Sequence, residues 1–361
     1  MKQLENKKWL IGPIRLMGLI GLMLLVPMLM QAQQLREKTD YDRFVEAVDE
    51  YVPAPGQFIN TMPEYVEGDT PETMAAKCTT ILRANSTDDV DNQGLICLGA
   101  YGGYITFHFD HSVANIEGND LRIIGNAFSE AGSSVSGSSE PGIIMVSKDV
   151  NRNWLPDDPW YELSGSADVD SVGKVIYNYE ITYLRCPMEA TPWTDNQGQE
   201  GTVARNGFHK QEYYPLWIDA ESLTFSGTLL PKSGMSSTSG FVQQFYREGY
   251  VDNRPDDVTF DISRAVDADR QPVQLDFIDF VRVYNATNQQ YPMVGETSTE
   301  IRIAEDLHLE ASLDAIEQAA SGITDLRVSS TTLPCYDLTG RSVTPSQRGI
   351  YIINGKKIFI K

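Results

Sequence analysis

Alternating apolar and polar residues predict β-strands through the middle of the chain. Residues 104–111 (YITFHFDH) place Ile105, Phe107 and Phe109 on one face and polar side chains on the other, which is strand periodicity. A continuous apolar run at 143–146 predicts a buried strand. The same reasoning predicts strands at Leu121–Ile124, Val175–Leu184, Leu216–Ile218, Thr224–Leu229, Val258–Ile262 and Phe277–Tyr284.

Loops rich in Gly, Ser and Asp separate these strands, such as residues 131–139 (AGSSVSGSS). Many short strands with such turns are typical of an antiparallel β-sandwich or jelly roll. Helical patterns do not alternate with the strands, which disfavours a parallel α/β sheet. We therefore predict an all-β fold with one β-sandwich domain over residues 90–310.

Short helices are predicted in the segment 33–89, which we expect to pack on the sandwich. Apolar residues at near-helical spacing predict an amphipathic helix over 34–50. Thr70 followed by Pro71 resembles an N-cap with proline at the first helical position, so a second helix is predicted over Glu72–Leu82.

A connector and a small β-tail are predicted after the sandwich. The helix-forming run Leu309–Ala320 leads into a linker, placed at 311–325. Residues 326–361 contain short apolar runs, and Asn354-Gly355 between two alternating runs predicts a hairpin.

Composition and the first residues indicate an exported protein. The formal net charge of the 361-residue chain is −21, which leaves no basic surface for nucleic acid. A basic start, the apolar run Leu16–Met30 and the small residue Ala32 predict a signal peptide over 1–32. The alternative is an uncleaved membrane anchor, for which the run is short.

The cysteines permit two interpretations. Cys78 and Cys97 are close enough in sequence to pair across a loop if the protein is exported, or they are free buried thiols. Cys186 and Cys335 complete the set, and sequence does not fix connectivity. No CxxC spacing indicates zinc or redox chemistry.

An acidic loop predicts a calcium site. Oxygen-bearing residues alternate after the strand at 143–146, and oxygen ligands at loop positions 1, 3, 5, 7 and 9 suit a hard cation. Trp154 stands at position 6, where Gly is usual, and Trp160 stands at position 12, where Glu is usual. The alternative is an ordinary acidic turn. The candidate ligands are Asp149, Asn151, Asn153, the Leu155 carbonyl, Asp157 and Asp158.

Histidines and amphipathic aromatics supply candidate ligand-binding residues. His108 and Asp110 are expected on one face of a strand, where they share an ion or ligand or, alternatively, fix a strand end. The aromatic residues suit a stacking surface for sugars or a flat ring system, or else belong to the core. The candidates are His108, Asp110, His111, Trp160, Tyr161, Trp193, His209, Tyr213 and Tyr214.

Sequence motifs for catalysis are absent. No G-x-S-x-G elbow, H-E-x-x-H pair or phosphate loop occurs, and we predict that the protein is not an enzyme. A glycosidase needs only two carboxylates, so a glycan-active hydrolase remains the alternative. Its candidate acids are Glu140, Asp158 and Glu212.

The C-terminal residues contain a pattern made of Asp337, Gly340, Arg341, Gly349, Tyr351 and the turn at 355–357. With this pattern they resemble the sorting tails of secreted Bacteroidetes proteins, which the type IX secretion machinery or a related route recognises. The resemblance implies that the export and sorting machinery is a partner of this chain.

Six runs in the body of the chain carry a second resemblance: PAPGQFINTMPEY (53–65), LGAYGGYITFHFDH (98–111), GNAF (125–128), EPGIIMVSKDVNRNWLPDDPWYEL (140–163), FHKQEYYPLW (208–217) and LDFIDFVRVYNA (275–286). With these runs the chain resembles a group of Bacteroidetes cell-surface proteins. Some members of that group look like ligand-binding components associated with outer-membrane uptake, including corrinoid uptake. The resemblance implies a cell-surface or secreted protein that binds a glycan or a corrinoid-type small molecule; the remaining alternative is a structural surface protein.

Overall fold

The computed structural model describes residues 41–85, 94–237, 240–291, 294–321, 335–336, 349–353 and 356–360. The predicted signal peptide at 1–32 lies outside these residues. The helices are α1 (Pro71–Ala84) and α2 (Leu309–Ser321), and Ile262–Arg264 forms a turn of 3₁₀ helix. The strands are β1 Val45–Val52, β2 Ile96–Cys97, β3 Tyr104–Ala114, β4 Leu121–Ile124, β5 Phe128–Ser129, β6 Ser136–Ser138, β7 Gly142–Ser147, β8 Trp160–Leu163, β9 Ile176–Leu184, β10 Thr191–Asp195, β11 Glu200–Val203, β12 Ser222–Leu229, β13 Gly234–Ser237, β14 Gly240–Gln244, β15 Thr259–Phe260, β16 Ala265–Val266, β17 Phe277–Asn285, β18 Gln290–Tyr291, β19 Gly295–Glu296, β20 Glu300–Ile301, β21 Ile303–Asp306, β22 Cys335–Tyr336, β23 Gly349–Ile353 and β24 Lys356–Ile360.

The described strands pair antiparallel, and the fold is all-β, as predicted. A six-stranded sheet has the order β1-β3-β17-β7-β8-β16, and a four-stranded sheet has the order β11-β10-β9-β12. A second four-stranded sheet has the order β13-β14-β6-β5. The smaller sheets are β15-β4-β21, β18-β19, β2-β20 and β22-β23-β24.

The six-stranded sheet is buried on both faces. In β7, Ile144 packs into a core that it shares with Met74 of α1, while the adjacent Ile143 packs into a second core. Successive side chains of a strand point to opposite faces, so a strand covered on both sides is apolar at consecutive positions. This explains the unbroken apolar run at 143–146.

The second core is rich in tyrosine. Tyr284 of β17 meets Tyr179 and Tyr183 of β9 there, with Tyr101 from the loop before β3. A buried tyrosine hydroxyl usually has a hydrogen-bond partner, although that of Tyr101 has none among the described residues. The Tyr183 hydroxyl donates to the Tyr101 carbonyl at 3.0 Å, and the Tyr284 hydroxyl accepts the Thr228 N–H at 2.9 Å.

Several predicted elements are confirmed. Helix α1 begins with Thr70 as N-cap and Pro71 at the first position, and its buried face is the predicted one. Strands β3, β4, β7, β9, β12 and β17 match predicted strands. The register of β23 against β24 pairs Ile353 with Lys356, which is the predicted hairpin, although residues 354–355 lie outside the described part.

The helix predicted over 34–50 is wrong where the structure describes it, because Val45–Val52 is strand β1. Register shifts interrupt its pairing with β3 between Val45 and Ala47 and between Val48 and Glu50. A β-bulge inserts an extra residue and resets the alternation. Buried positions therefore recur at every third residue, a spacing that imitates a helix.

The strand predicted at Leu216–Ile218 is also wrong, because those residues form a turn. Backbone N–H groups in this region bond to side chains instead of to a neighbouring strand. The N–H of Leu216 donates to Asn60 Oδ1 at 3.0 Å, and the N–H groups of Tyr213 and Tyr214 donate to Glu212 Oε1. No ladder can form where these groups are already satisfied.

The cysteines that the structure describes with side chains are free thiols. Cys78 and Cys97 are both buried and unpaired, and Cys186 is half-buried and unpaired. Burial raises the pKa of the Cys78 and Cys97 thiols well above the ordinary value. Of the two interpretations, the structure has the buried thiols.

Helix α2 begins against the sandwich. Ser312 in its first turn is buried, and its Oγ accepts the N–H of Ala114 in β3 at 3.0 Å. The same hydroxyl donates to Asp306 Oδ2 at 2.8 Å. The start of the predicted linker region is therefore bonded to the end of β3.

Candidate functional site

The acidic loop connects β7 to β8, which are antiparallel neighbours in the six-stranded sheet. Asp149 organises it: Oδ1 accepts the N–H of Asn153 at 3.1 Å and Oδ2 accepts the N–H of Trp154 at 2.9 Å. The N–H of Asp149 donates to Asp279 Oδ2 on β17 at 2.7 Å. The first residue of the loop is thus attached to the middle of the sheet.

The structure brings the other predicted calcium ligands into the same loop. The side-chain amides of Asn151 and Asn153 donate to the two oxygens of Asp157, each at 2.9 Å. These two hydrogen bonds, that of Asn153 first, lower the pKa of Asp157. Asp158 Oδ2 accepts the N–H of the residue after Asp149 at 3.0 Å, and the N–H of Leu155 donates to Asn153 Oδ1.

Trp154 adopts the backbone that loop position 6 requires. Its φ is 56°, in the left-handed region where glycine is the usual residue. The ring lies edge-on to His108, with centroids 6.4 Å apart. The departure from the usual loop sequence is therefore in the side chain and not in the backbone.

The candidate histidine group divides into two separate arrangements. His108 Nδ1 bonds to Asp49 Oδ2 on β1 at 2.9 Å and is half-buried. His111 is buried between two carboxylates, with Nδ1 at 2.6 Å from Asp110 Oδ1 and Nε2 at 2.9 Å from Asp306 Oδ2. Asp110 and His111 thus fix β3 to the end of β21, which is the structural alternative, whereas His108 bonds to β1.

Tyr213 and Tyr214 are core residues. Their exposed fractions are 0% and 1%, and their hydroxyls donate to the carbonyls of His209 and Ala220. A ring that is buried on both faces offers no stacking surface. These two members of the predicted aromatic surface are therefore corrected to packing roles.

The remaining aromatic candidates are half-buried and lie on different elements. The Arg282 guanidinium lies over the Trp160 ring in β8, 4.4 Å from the ring centroid. Tyr161 packs against the core that contains Ile144 and Met74. Trp193 in β10 packs against the second core, while His209 meets Phe58 edge-on at 4.6 Å. They do not form one continuous rim.

Sequence reasoning did not single out a groove beside the β13-β14-β6-β5 sheet. Its volume is about 510 Å³, and Phe128 of β5 lies in it with 63% of its surface exposed. The signal in the sequence is the GNAF run at 125–128, which carries no recognised chemistry of its own. The lining residues are Gln57, Phe58, Phe128, Ser129, Glu130, Ala131, Gly137, Ser138, Glu140, Val242, Gln243 and Val294.

Three acidic residues converge below this groove. Carboxylate oxygens of Glu140, Asp252 and Glu300 all lie within 4.8 Å of one another. Asp252 and Glu300 are buried and Glu140 is half-buried. Sequence reasoning named only Glu140, because the three come from distant segments and no spacing rule connects them.

Burial dominates the protonation of this region. It raises the pKa of Glu140 to about 8 and that of Asp252 to about 7, and the neighbouring carboxylates add to the shift of Glu140. Burial also raises the pKa of Glu300 well above its ordinary value, and that of the nearby Glu296 to about 8. Several carboxylates held together in a low dielectric cannot all ionise without a compensating charge.

The other two candidate acids of a hydrolase have structural partners. Glu212 accepts the N–H groups of Tyr213 and Tyr214 on Oε1 and that of Met188 on Oε2. Asp158 accepts backbone N–H groups within the acidic loop.

No protein-family model matches the chain, and no curated protein matches it. In the part of the chain that the structure describes, no helix is long and apolar enough to cross a membrane.

Proposed function

We propose that this chain is an exported cell-surface protein that binds a neutral, hydroxyl-rich ligand in the Phe128 groove. The observation that carries the proposal is an aromatic ring, 63% exposed, inside a groove of about 510 Å³. Ligand sites in proteins are concave, of this size, and combine apolar walls with a few polar groups. Export rests on the signal-like residues 1–32 and the resemblance of the tail.

The lining of the groove supports a glycan as the ligand class. Phe58, Val242 and Val294 join Phe128 as apolar surface, and the apolar face of a sugar ring stacks on an aromatic ring. Gln243 offers an amide to hydroxyl groups, whereas the amide of Gln57 already bonds to the Val294 carbonyl and to the Asn206 side chain. Glu130 and Glu140 also line the groove, and the net charge of −21 disfavours an anionic ligand. A corrinoid-type molecule is the second ligand class.

Binding is supported better than hydrolysis. A glycosidase holds two carboxylates facing each other across a cleft, about 5–10 Å apart. The acids clustered with Glu140 are Asp252 and Glu300, each only 3% exposed, so a sugar in the groove meets Glu140 but neither of them, and Glu130 is the other carboxylate among the lining residues. Release of reducing ends from any glycan that binds would contradict this part of the proposal.

The groove is tested by ligand screening with matched variants. Wild-type protein is screened by thermal shift against a glycan panel and cyanocobalamin, and each stabilising compound is then titrated by calorimetry. Phe128→Ala is expected to weaken binding about fivefold, since a stacked aromatic contact contributes about 1 kcal/mol. Val169→Ala removes a similarly exposed apolar side chain that does not line the groove, and binding should be unchanged.

Two results would contradict the proposal. One is the absence of any stabilising compound in the screen. The other is a bound ligand whose dissociation constant is the same for wild type and Phe128→Ala.

A further inference from the structure

The carboxylates of Glu140, Asp252 and Glu300 are held together by their own backbones. The N–H of Glu140 donates to the Asp252 carbonyl at 2.8 Å, and the N–H of Glu300 donates to Asp252 Oδ2 at 2.9 Å. The N–H of Ser298 donates to Glu140 Oε1 at 3.1 Å. These bonds connect the turn before β7, the residue after Val251 and strand β20, so the three acids are fixed before any ligand arrives.

A fourth acid adds an unsatisfied buried atom. Glu296 is 2% exposed, and its Oε1 accepts the Gln57 N–H at 2.5 Å, whereas its Oε2 has no hydrogen-bond partner. The charge of Glu296 raises the pKa of Glu140 and, together with that of Glu300, the pKa of the Cys97 thiol. A buried acceptor without a donor points to a bound species that the chain does not itself supply.

Ion pairs are missing around the four acids. In the ranges that the structure describes, none of the four carboxylates takes part in an ion pair. The charge of Arg302 lowers the pKa of Asp252 without forming such a pair. Buried carboxylates are normally paired with a cation or coordinate a metal.

We propose that Glu140, Asp252 and Glu300, with Glu296 beside them, form a buried site for a divalent cation of the size of calcium. This site is separate from the acidic loop between β7 and β8, and it goes beyond the proposed ligand binding. Calcium bonds to oxygen at 2.3–2.6 Å, so ligands on opposite sides of the ion are about 5 Å apart, which suits oxygens within 4.8 Å of one another. Magnesium would draw them to about 4 Å and demands octahedral geometry.

The cation has a path to the site. Glu140 lines the Phe128 groove and also belongs to the acid cluster. An ion that enters through the groove therefore meets the half-buried carboxylate first and the two buried carboxylates after it. Carboxylate oxygens are hard ligands that favour calcium over the softer transition metals.

The test counts ions in the whole purified chain. Chelator-stripped protein is equilibrated with calcium at pH 7.5, and the bound metal per chain is measured by mass spectrometry for wild type, Asp149→Asn, Glu300→Gln and the double variant. Glu300→Gln is expected to lose one ion that Asp149→Asn retains. Glu305→Gln is the matched control, since Glu305 is a similarly buried acid that pairs with Arg122, and it should bind as wild type does.

Equal calcium content in wild type and Glu300→Gln overturns the proposal, irrespective of the calcium content of Asp149→Asn. Loss of all calcium in Asp149→Asn alone also overturns it and leaves the loop as the site. If wild type binds one ion and only Glu300→Gln loses it, the ion is bound by the acid cluster, and calcium binding by the acidic loop is contradicted.

A melting experiment separates metal binding from a purely structural role. The amide introduced by Glu300→Gln can donate to Glu140 as a protonated Glu300 would, and the substitution removes a like charge. Metal-free Glu300→Gln should therefore melt no lower than metal-free wild type, and its gain in melting temperature on adding calcium should be smaller. A lower metal-free melting temperature with an undiminished gain overturns the proposal; if Glu300→Gln does not fold, Glu140→Gln takes its place in both measurements.

Discussion

At the scale of the residue, His111 is an ionisable group whose protonation is linked to stability. Burial would lower its pKa, but the hydrogen bonds that the ring donates to Asp110 and Asp306 outweigh burial, and the pKa lies above the ordinary value. The imidazolium form therefore links β3 to the end of β21. A histidine whose folded pKa is raised contributes its full stability below the unfolded pKa, about 6.5, and loses it as pH rises through the folded value.

We predict that His111→Gln lowers the unfolding free energy by about 3 kcal/mol at pH 6, because breaking a buried charged pair leaves carboxylates without their partner. The difference from wild type should shrink as pH rises above the folded pKa. Urea denaturation of both proteins between pH 5.5 and 8.5 measures it. Other buried acids, such as Glu296, titrate in this window in both proteins, so only the difference is interpreted.

His209→Gln is the control for that measurement, since His209 is half-buried and does not bond to Asp110 or Asp306, the two carboxylates that hold His111. The measured quantity is the unfolding free energy of wild type minus that of His111→Gln. If this difference does not change with pH, His111 carries no charge in the folded protein.

At the scale of the element, bulges and loops decided where the sequence prediction succeeded. Strands without register shifts near their buried residues, such as β4 and β7, keep the expected pattern. Strand β1 does not, because its two register shifts turn a period of two into a period of three. The acidic loop was predicted from spacing alone, because its candidate ligands are all within ten residues of one another.

We predict that calcium bound by the acidic loop stabilises the protein, and that Asp149→Asn removes this share of the stabilisation. At a calcium concentration one hundred times the dissociation constant, one site contributes about 2.7 kcal/mol. Thermal melts with and without excess chelator give the effect, and ligand binding in the groove should be affected less than stability.

Asp267→Asn is the matched control for the loop. Asp267 Oδ1 accepts the N–H groups of Asp269 and Gln271, as Asp149 accepts two N–H groups, but no asparagine series follows it. An equal loss of calcium-dependent stability in both variants would mean that Asp149 acts only as a turn residue.

At the scale of the whole molecule, the sandwich brings distant segments to one place. The acid cluster draws on residues 140, 252 and 300, and the Phe128 groove draws on residues from 57 to 294. Such sites depend on the order of strands in the sheets. Point variants there report on assembly of the fold as well as on binding, which is why each test pairs a metal or ligand readout with a melting temperature.

We predict that the mature protein lacks residues 1–32. N-terminal sequencing of protein recovered from the cell surface should begin at Gln33, since cleavage follows the small residue Ala32. Leu24→Arg, which interrupts the apolar run, should keep the chain inside the cell. Surface protein that still begins at Met1 would instead support a membrane anchor.

The sequence by itself determined the all-β class, helix α1 with its cap, the C-terminal hairpin and the acidic loop. Each depends on residues that are neighbours in the chain, so local periodicity and turn chemistry suffice to predict it. Only the tertiary structure decided which aromatics are buried, that His111 lies between Asp110 and Asp306, and that Glu140, Asp252 and Glu300 meet. These arrangements depend on strand order and on coverage of both sheet faces, and no local spacing encodes contacts between segments more than a hundred residues apart.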